Sequence, residues 1–399
     1  MTEHNNPRAG HVVIVGGGVA GLEALLALRA LLGSHVEVTL VSQHDRFIDR
    51  PVTVAEPFGL GVAARHSLPE IAAEFEAEFI RGKVVAVDAA GHRVSLDSRA
   101  DIPFDTLILA PGARSTSPLP DAITFGAEGS GQAMAELLSR MRAGEVRSAA
   151  FVAPSMTGWL LPLYELALMT AADLARNHVD GVHLSLVTSE TRPLSLFGDE
   201  GSDAVAGLLE AAGVEFIGAA GGTQEVMVGV SGDDLAADFL VTLPVLRGPA
   251  IGGVPATVDR GFIPVDAYGR VDGLADVYAA GDTTDFPVKQ GGLAAQQADT
   301  VAAHIAASYG ADVDAQPFHP VLRGMLFTGG ESLYVRSGVP GADPDVPGAW
   351  YPLWWPPTKV AGRHLAPYLF ARGEEDGFGG PPVGFVDVDI PLAAVTLPG

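Results

Sequence analysis

Apolar and polar positions fall into alternating strand-like and helix-like blocks along the first third of the chain. His11–Val15 is a short apolar run, Leu22–Leu32 has apolar residues at helical spacing, and Val36–Val41 has them at alternate positions, which predicts a βαβ unit. A charged helical stretch, Leu68–Glu78, leads to short strands around Lys83–Val87 and His92–Leu96. Next comes Thr106–Ala110, a buried-looking strand that stops at Pro111–Gly112, as a loop at the rim of a binding crevice would require. The pattern then recurs: a strand from Ser148, a helical run LYELALMTAADLA and a strand His183–Val187 make a second βαβ unit. Gly and Pro dominate after about Gly248, until a strand Val277–Ala280 leads through Gly281–Asp282 into a helix from about Gly292 to Ser308. From about Phe327 the chain is rich in Pro and Trp and has no readable period. Alternating strands and helices predict an α/β fold.

Composition narrows the possible partners. At 399 residues, 48% of them apolar, the chain is long enough for more than one core. With 48 acidic against 24 basic residues the net charge is -24, which repels nucleic-acid phosphates and anionic lipid headgroups, so no nucleic-acid role is expected. The chain has no Cys, which excludes disulfides, thiolate metal sites, Cys-ligated iron–sulfur clusters, a Cys nucleophile and dithiol relays. Redox chemistry therefore requires a bound cofactor. The 11 His show no metal-ligand spacing, so no metal is expected. The opening MTEHNNPRAG is polar and lacks a signal-peptide pattern. The richest apolar stretch, Trp159–Ala172, is broken by Pro162 and Glu165, short of the roughly 18 uninterrupted apolar residues of a membrane span. The expectation is a cytoplasmic protein with at most peripheral membrane contact.

GGGVAG sets Gly16, Gly18 and Gly21 in G-x-G-x-x-G spacing after a strand and at the start of a helix. Gly16 permits the tight turn, Gly18 lets the backbone approach a pyrophosphate, Gly21 allows close packing, and the helix N-terminus supplies donors. The bland alternative is a glycine turn that merely packs tightly. The acidic residue expected after the second strand to bind ribose hydroxyls is missing: Ser42 and Gln43 stand there, and the nearest carboxylate is Asp45.

The segment DVYAAGDTTDFPVKQGGLAAQQA resembles the second flavin-binding fingerprint of the pyridine nucleotide–disulfide oxidoreductase superfamily, and FDTLILAPGAR resembles its strand-plus-ATG element, with Pro111 at the usual small hydroxyl position. The resemblance implies FAD as cofactor. It gives Asp282, after Gly281, the ribityl-binding role and puts Lys289, Gln290 and Gly291 near the isoalloxazine. A helix N-terminus and a cation there would stabilise the negative charge of reduced flavin. Ala20, Ser42, Val84, Ala110, Pro111 and Gly112 complete the candidate cofactor contacts.

The second unit departs from a nicotinamide-binding pattern. Its turn, VAPSMTG, has Ala153, Ser155 and Gly158 where glycines are usual, with Pro154 between, and the added side chains and lost donor obstruct a pyrophosphate. With LVTSETRPLSLFG and LPVLRGPAIGG, it resembles the sulfide:quinone oxidoreductases and flavocytochrome c sulfide dehydrogenases over roughly residues 10–325. Those enzymes carry sulfur on cysteines, which this chain lacks, so the resemblance is to an uncharacterised, cysteine-free branch. It implies two Rossmann-like dinucleotide-binding domains, the second inserted in the first: FAD-binding residues 8–120 and 249–326, a degenerate domain 121–248, and a C-terminal interface region 327–399.

Three groups are candidates for chemistry beyond cofactor binding. In FIDRPVTVAEPFGLG, Arg50 is a cation for the phosphates or ring and Glu56 a proton donor or acceptor; the alternative is an ion pair that pins the loop. Glu165, beside Tyr164, occupies a position that carries a Glu next to the flavin in the similar type II NADH dehydrogenases, and the alternative is a helix-initiating residue after Pro162. The Trp354–Trp355 pair suits a quinone, a membrane interface, the flavin or a homodimer contact. Lys289, Glu165 and Glu56 are thus the candidate catalytic residues. The expected function is an FAD-dependent oxidoreductase carrying two electrons from an unidentified small-molecule donor to a quinone or other small acceptor. An NAD(P)H-dependent flavin reductase and a non-catalytic flavin-binding redox sensor are the alternatives.

Overall fold

Val12 and Ile14 point to one side of the first strand and Val13 and Val15 to the other, and both pairs are buried, which is the signature of a parallel strand covered on both faces. The structure, a computed structural model, describes residues 10–97, 100–153, 157–218, 237–336, 348–349 and 354–372. The strand His11–Val15 lies at the centre of a five-stranded parallel sheet in the order 277–279, 106–109, 11–15, 37–42, 78–81. The chain leaves this sheet after Leu109 and returns at Val277. Between those points it builds a second parallel sheet in the order 123–124, 239–242, 148–152, 183–187, 214–217. The fold is α/β with two doubly covered parallel sheets, as the sequence predicts.

Among the described residues, seven α-helices bear on the layers: α1 (Val19–Leu32), α2 (Leu68–Glu74), α3 (Ser130–Arg142), α4 (Leu161–Arg176), α5 (Gly198–Ala211), α6 (Gly291–Ser308) and α7 (Leu365–Phe370). Helices α1, α6 and α7 share the core on the Val12/Ile14 face of the first sheet, while a small antiparallel sheet of residues 84–88, 93–96 and 102–103 covers the Val13/Val15 face. Helices α3, α4 and α5 pack against the second sheet, and Phe327, Leu333 and Tyr334 of a C-terminal antiparallel sheet join that same core.

Two elements differ from their sequence pattern. The helix predicted over Leu68–Glu78 stops at Glu74, because Glu76 enters the left-handed region (φ 52°) and Glu78–Arg81 is drawn into the sheet beside Thr39–Ser42. In the C-terminal part, TKVAGRHLAPYL is helical only over Leu365–Phe370, and residues 358–364 cross the molecule as a non-helical strap. Among the described residues no helix is long and apolar enough to cross a membrane.

Candidate functional site

The carboxyl ends of the strands 11–15, 106–109 and 277–279 converge: Ala110 N donates to Val15 O (2.7 Å) and Ala280 N to Leu109 O (3.1 Å). Three of the glycines that follow the first strand are fixed by protein neighbours. Gly16 has φ 116°, and a Cβ there would lie 2.0 Å from Ala110 O; one on Gly17 would meet Leu68 Cδ1 at 2.3 Å; one on Gly21 would lie 1.8 Å from Gly16 O. Gly18 is different. A Cβ on Gly18 meets no protein atom within 4 Å, and Gly18 is the N-cap of α1, with no side-chain cap and no acidic residue in the first turn. The first N–H groups of a helix have no intrahelical partner, so this turn presents uncapped donors and a positive helix end to open space. A pyrophosphate fits it, and no side chain among the described residues caps this end in its place.

Gly281 and Asp282 close the crevice from the other side. Gly281 (φ 80°) is wedged between the two helices, since a Cβ there would lie 3.0 Å from Ala20 Cβ and 3.3 Å from Ala294 Cβ, and its N–H donates to Gln297 Oε1 (2.6 Å). Burial pushes the Asp282 carboxyl above its usual range, against the opposing pull of Lys289 and Arg50. Thr283 Oγ1 beside it is buried without a hydrogen-bond partner among the described residues. At the α6 N-terminus Gln290 Oε1 accepts from Leu293 N (2.8 Å) and its Nε2 donates to Arg323 O (3.1 Å), which leaves Gly291 and Gly292 to open the helix without bulk.

The sequence-derived candidates do not all gather there. Lys289 is buried, but its ammonium donates to Thr284 O and sits 3.8 Å over the Phe262 ring, so the charge is turned back onto the 281–284 turn instead of lying along the helix terminus. Burial lowers its pKa to about 8, with Asp282 opposing. Glu56 serves its own loop, accepting from Ala63 N (2.9 Å) and pairing with Arg65 (3.5 Å), which is the loop-pinning alternative. The exposed Arg50 reaches the site only through its field at Asp282. Ser42, at the end of the second strand, accepts from His44 N (3.2 Å) through Oγ and from Gly82 N (2.9 Å) through its carbonyl, so the chain leading to Val84 leaves beside it. Asp45 is paired with Arg81 at the surface (3.8 Å). Pro111 and the left-handed Gly112 follow Ala110 at the crevice rim.

Glu165 has a partner that the sequence reading missed. Its Oε1 accepts from Lys359 Nζ and from Phe327 N (2.8 Å), both side chains are buried, and Oε2 has no partner among the described residues. Burial raises the Glu165 carboxyl above its ordinary range, with Lys359 opposing. Lys359 belongs to the strap, whose next residue, Val360, packs on Gly291: a Cβ there would lie 3.0 Å from Val360 Cγ2. The pair therefore stands beside the α6 N-terminus. Trp354 packs edge-on against Tyr334 (5.3 Å) and Trp355 against Phe370 (4.9 Å), so Thr358–Gly362, and not the Trp pair, reaches the helix end.

The second turn is built otherwise. Pro154 and Ser155 lie outside the described residues, but Ala153 is buried and α4 begins only at Leu161, whereas α1 begins immediately after Gly18. A Cβ on Gly158 would meet Lys289 Cγ at 3.0 Å and Pro287 O at 3.2 Å, so this glycine admits its own protein. After the following strand, the Glu190 carboxylate accepts from Tyr164 OH (2.5 Å), with both groups pushed upward by burial, and Arg192 is tied to Asp199 (2.6 Å) and Asp203.

An open glycine turn, an acidic second turn and a helix N-terminus at converging strand ends define a dinucleotide-cofactor protein of the two-Rossmann kind. The chain belongs to the pyridine nucleotide-disulphide oxidoreductase family, whose pattern matches residues 10–304, and members of that family are FAD-binding oxidoreductases. It is 37% identical to mouse ferroptosis suppressor protein 1 over 110 residues, 28% of each chain. To the sulfide-quinone reductase of Aquifex aeolicus it is 28% identical over 216 residues, 51% of this chain and 48% of that one. To the NADH dehydrogenase-like protein Rv1812c of Mycobacterium tuberculosis it is 29% identical over 296 residues, 68% of this chain and 72% of that one. The matches thus span about half or less of the length of the first two. The crystal structure of the Aquifex sulfide:quinone oxidoreductase shares the fold with a TM-score of 0.74 at 20% identity, over 82% of this chain and 83% of that one.

Proposed function

We propose that the chain is an FAD-dependent oxidoreductase passing two electrons from a donor other than a nicotinamide to a quinone or other small acceptor, without cysteine chemistry. The observation that carries this reading is the contrast between the two turns: Gly18 opens onto space at an uncapped helix that starts at the next residue, while the second turn has Ala153 and Ser155 in place of its first two glycines and its helix starts only at Leu161. In this reading residues 8–120 and 249–326 are the cofactor domain, 121–248 the degenerate domain inserted in it, and 327–399 a C-terminal interface region. Bound FAD supplies a reversible two-electron carrier. The Gly16–Gly18 turn and the α1 N-terminus hold its pyrophosphate, Asp282 accepts from the ribityl hydroxyls, and the first N–H groups of α6 set positive potential where negative charge develops. Glu165, whose proton affinity burial raises and Lys359 opposes, is placed next to that helix end to take up and release a proton for an acceptor that gains protons with its electrons. The relatedness to a sulfide-quinone reductase supports a quinone as that acceptor.

The test is anaerobic. Protein reduced with dithionite and freed of excess reductant is mixed with a water-soluble ubiquinone analogue. Stoichiometric return of the oxidised flavin's blue absorption band is expected. Persistence of the reduced spectrum with quinones and with small soluble acceptors alike contradicts turnover and favours a flavin-binding sensor.

A further inference from the structure

Helix α1 carries one carboxylate in an otherwise apolar buried face. Glu23, two residues beyond Gly21, is fully buried among Leu22, Ala24 and Leu25. A buried carboxyl persists only where hydrogen bonds replace its water. Those bonds come from the far end of the chain: Glu23 Oε1 accepts from His364 N (2.6 Å) and Oε2 from Leu365 N (2.8 Å), at the start of α7. Asp299 of α6 lies beside Glu23, and His364 Nε2 stands 3.8 Å from Asp299 Oδ1. The strap runs so close that a Cβ on Gly362 would lie 2.6 Å from Glu23 Oε2.

The strap is therefore gripped by two buried carboxylates on either side of the α6 N-terminus, Glu165 at Lys359 and Glu23 at residues 364–365, with Val360 on Gly291 between them. Glu23 and the open glycine turn belong to one rigid helix, so the same element that faces the pyrophosphate also fixes the strap's register. We propose that Glu23 is a positioning residue, which holds the 358–365 strap so that Lys359 meets Glu165 over the N-terminal end of α6. The role rests on the reading of that end as the cofactor's ring site.

The test compares FAD-loaded, full-length Glu23→Gln and Gly362→Ala proteins with the wild type. The amide in Gln turns a donor toward one strap N–H, and the alanine methyl displaces the strap while leaving Glu23 intact, so the second variant decides the matter if the first does not fold. Both should retain FAD, exchange the backbone amides of residues 358, 364 and 365 about ten-fold or more faster, as expected for losing a charge-assisted bond, and shift the flavin's visible band. Glu74→Gln, which alters a surface contact to Tyr368 and Arg372, should change neither readout. Unchanged protection at residues 358, 364 and 365 with an unshifted band in the variants overturns the proposal, as does loss of FAD with the strap still protected. Faster exchange and a shifted band, in a protein whose wild type fails to reduce quinones, would uphold the positioning role while refuting the proposed acceptor.

Discussion

Gly18→Val should yield a folded protein that carries almost no FAD. The Cβ of the substituted side chain meets no protein atom within 4 Å, and Gly18 has φ -89° and ψ -167°, an extended conformation open to any residue, so the apoprotein should lose little stability. What it obstructs is a ligand lying on the uncapped end of α1. An overlap of this kind costs several kcal/mol, so FAD affinity should fall on the order of 100-fold or more. Gly21→Ala is the contrasting variant, because its Cβ would enter the Gly16 carbonyl at 1.8 Å and the turn itself must deform. Visible-to-ultraviolet absorbance of the purified proteins, with thermal melts of their apo forms, separates the two. A Gly18→Val protein with full flavin occupancy would remove the turn from the cofactor site.

Lys359→Met should be strongly destabilising, and Glu165→Gln should rescue it. Removing one partner of a buried pair leaves the other charge without compensation, which costs about 3–5 kcal/mol, whereas neutralising both leaves a far smaller defect. The penalty has a definite pH dependence. Burial raises the Glu165 carboxyl in the folded state, so its contribution is present at acid pH and lost as pH rises through the folded value. Without Lys359 that loss is larger, and the gap to wild type widens from acid toward neutral pH. Urea unfolding at several pH values measures it, and a Lys359→Met protein as stable as wild type at neutral pH contradicts the pairing.

Local pattern carried the fold a long way. The apolar runs HVVIV and TLILA become central strands of a parallel sheet, and the glycine spacing becomes a turn whose three constrained and one open position can be told apart atom by atom. What the pattern left unread is non-local. Lys359 lies in a Pro- and Trp-rich stretch without a period, and its partner is 194 residues away; Glu23 binds an amide 342 residues away. No spacing rule encodes such register. A signal for Glu23 was nonetheless available, as the one acid in VAGLEALLALRALL, a helix whose other positions are almost all apolar. Lys289 was legible as a residue near the site but not in its direction, because the Phe262 ring and the Thr284 carbonyl that attract its ammonium come together only in the tertiary fold.

The central claim is that one turn of this protein takes a dinucleotide and the other does not. It is tested most directly by anaerobic titration of the purified yellow protein with NADH and then NADPH, following the oxidised flavin's blue absorption band. The account predicts no stoichiometric bleaching by either nucleotide, with dithionite still reducing the protein fully. Rapid one-to-one bleaching would contradict it, since it would mean that a nicotinamide docks productively despite Ala153 and Ser155 at the glycine positions and a helix that starts only at Leu161.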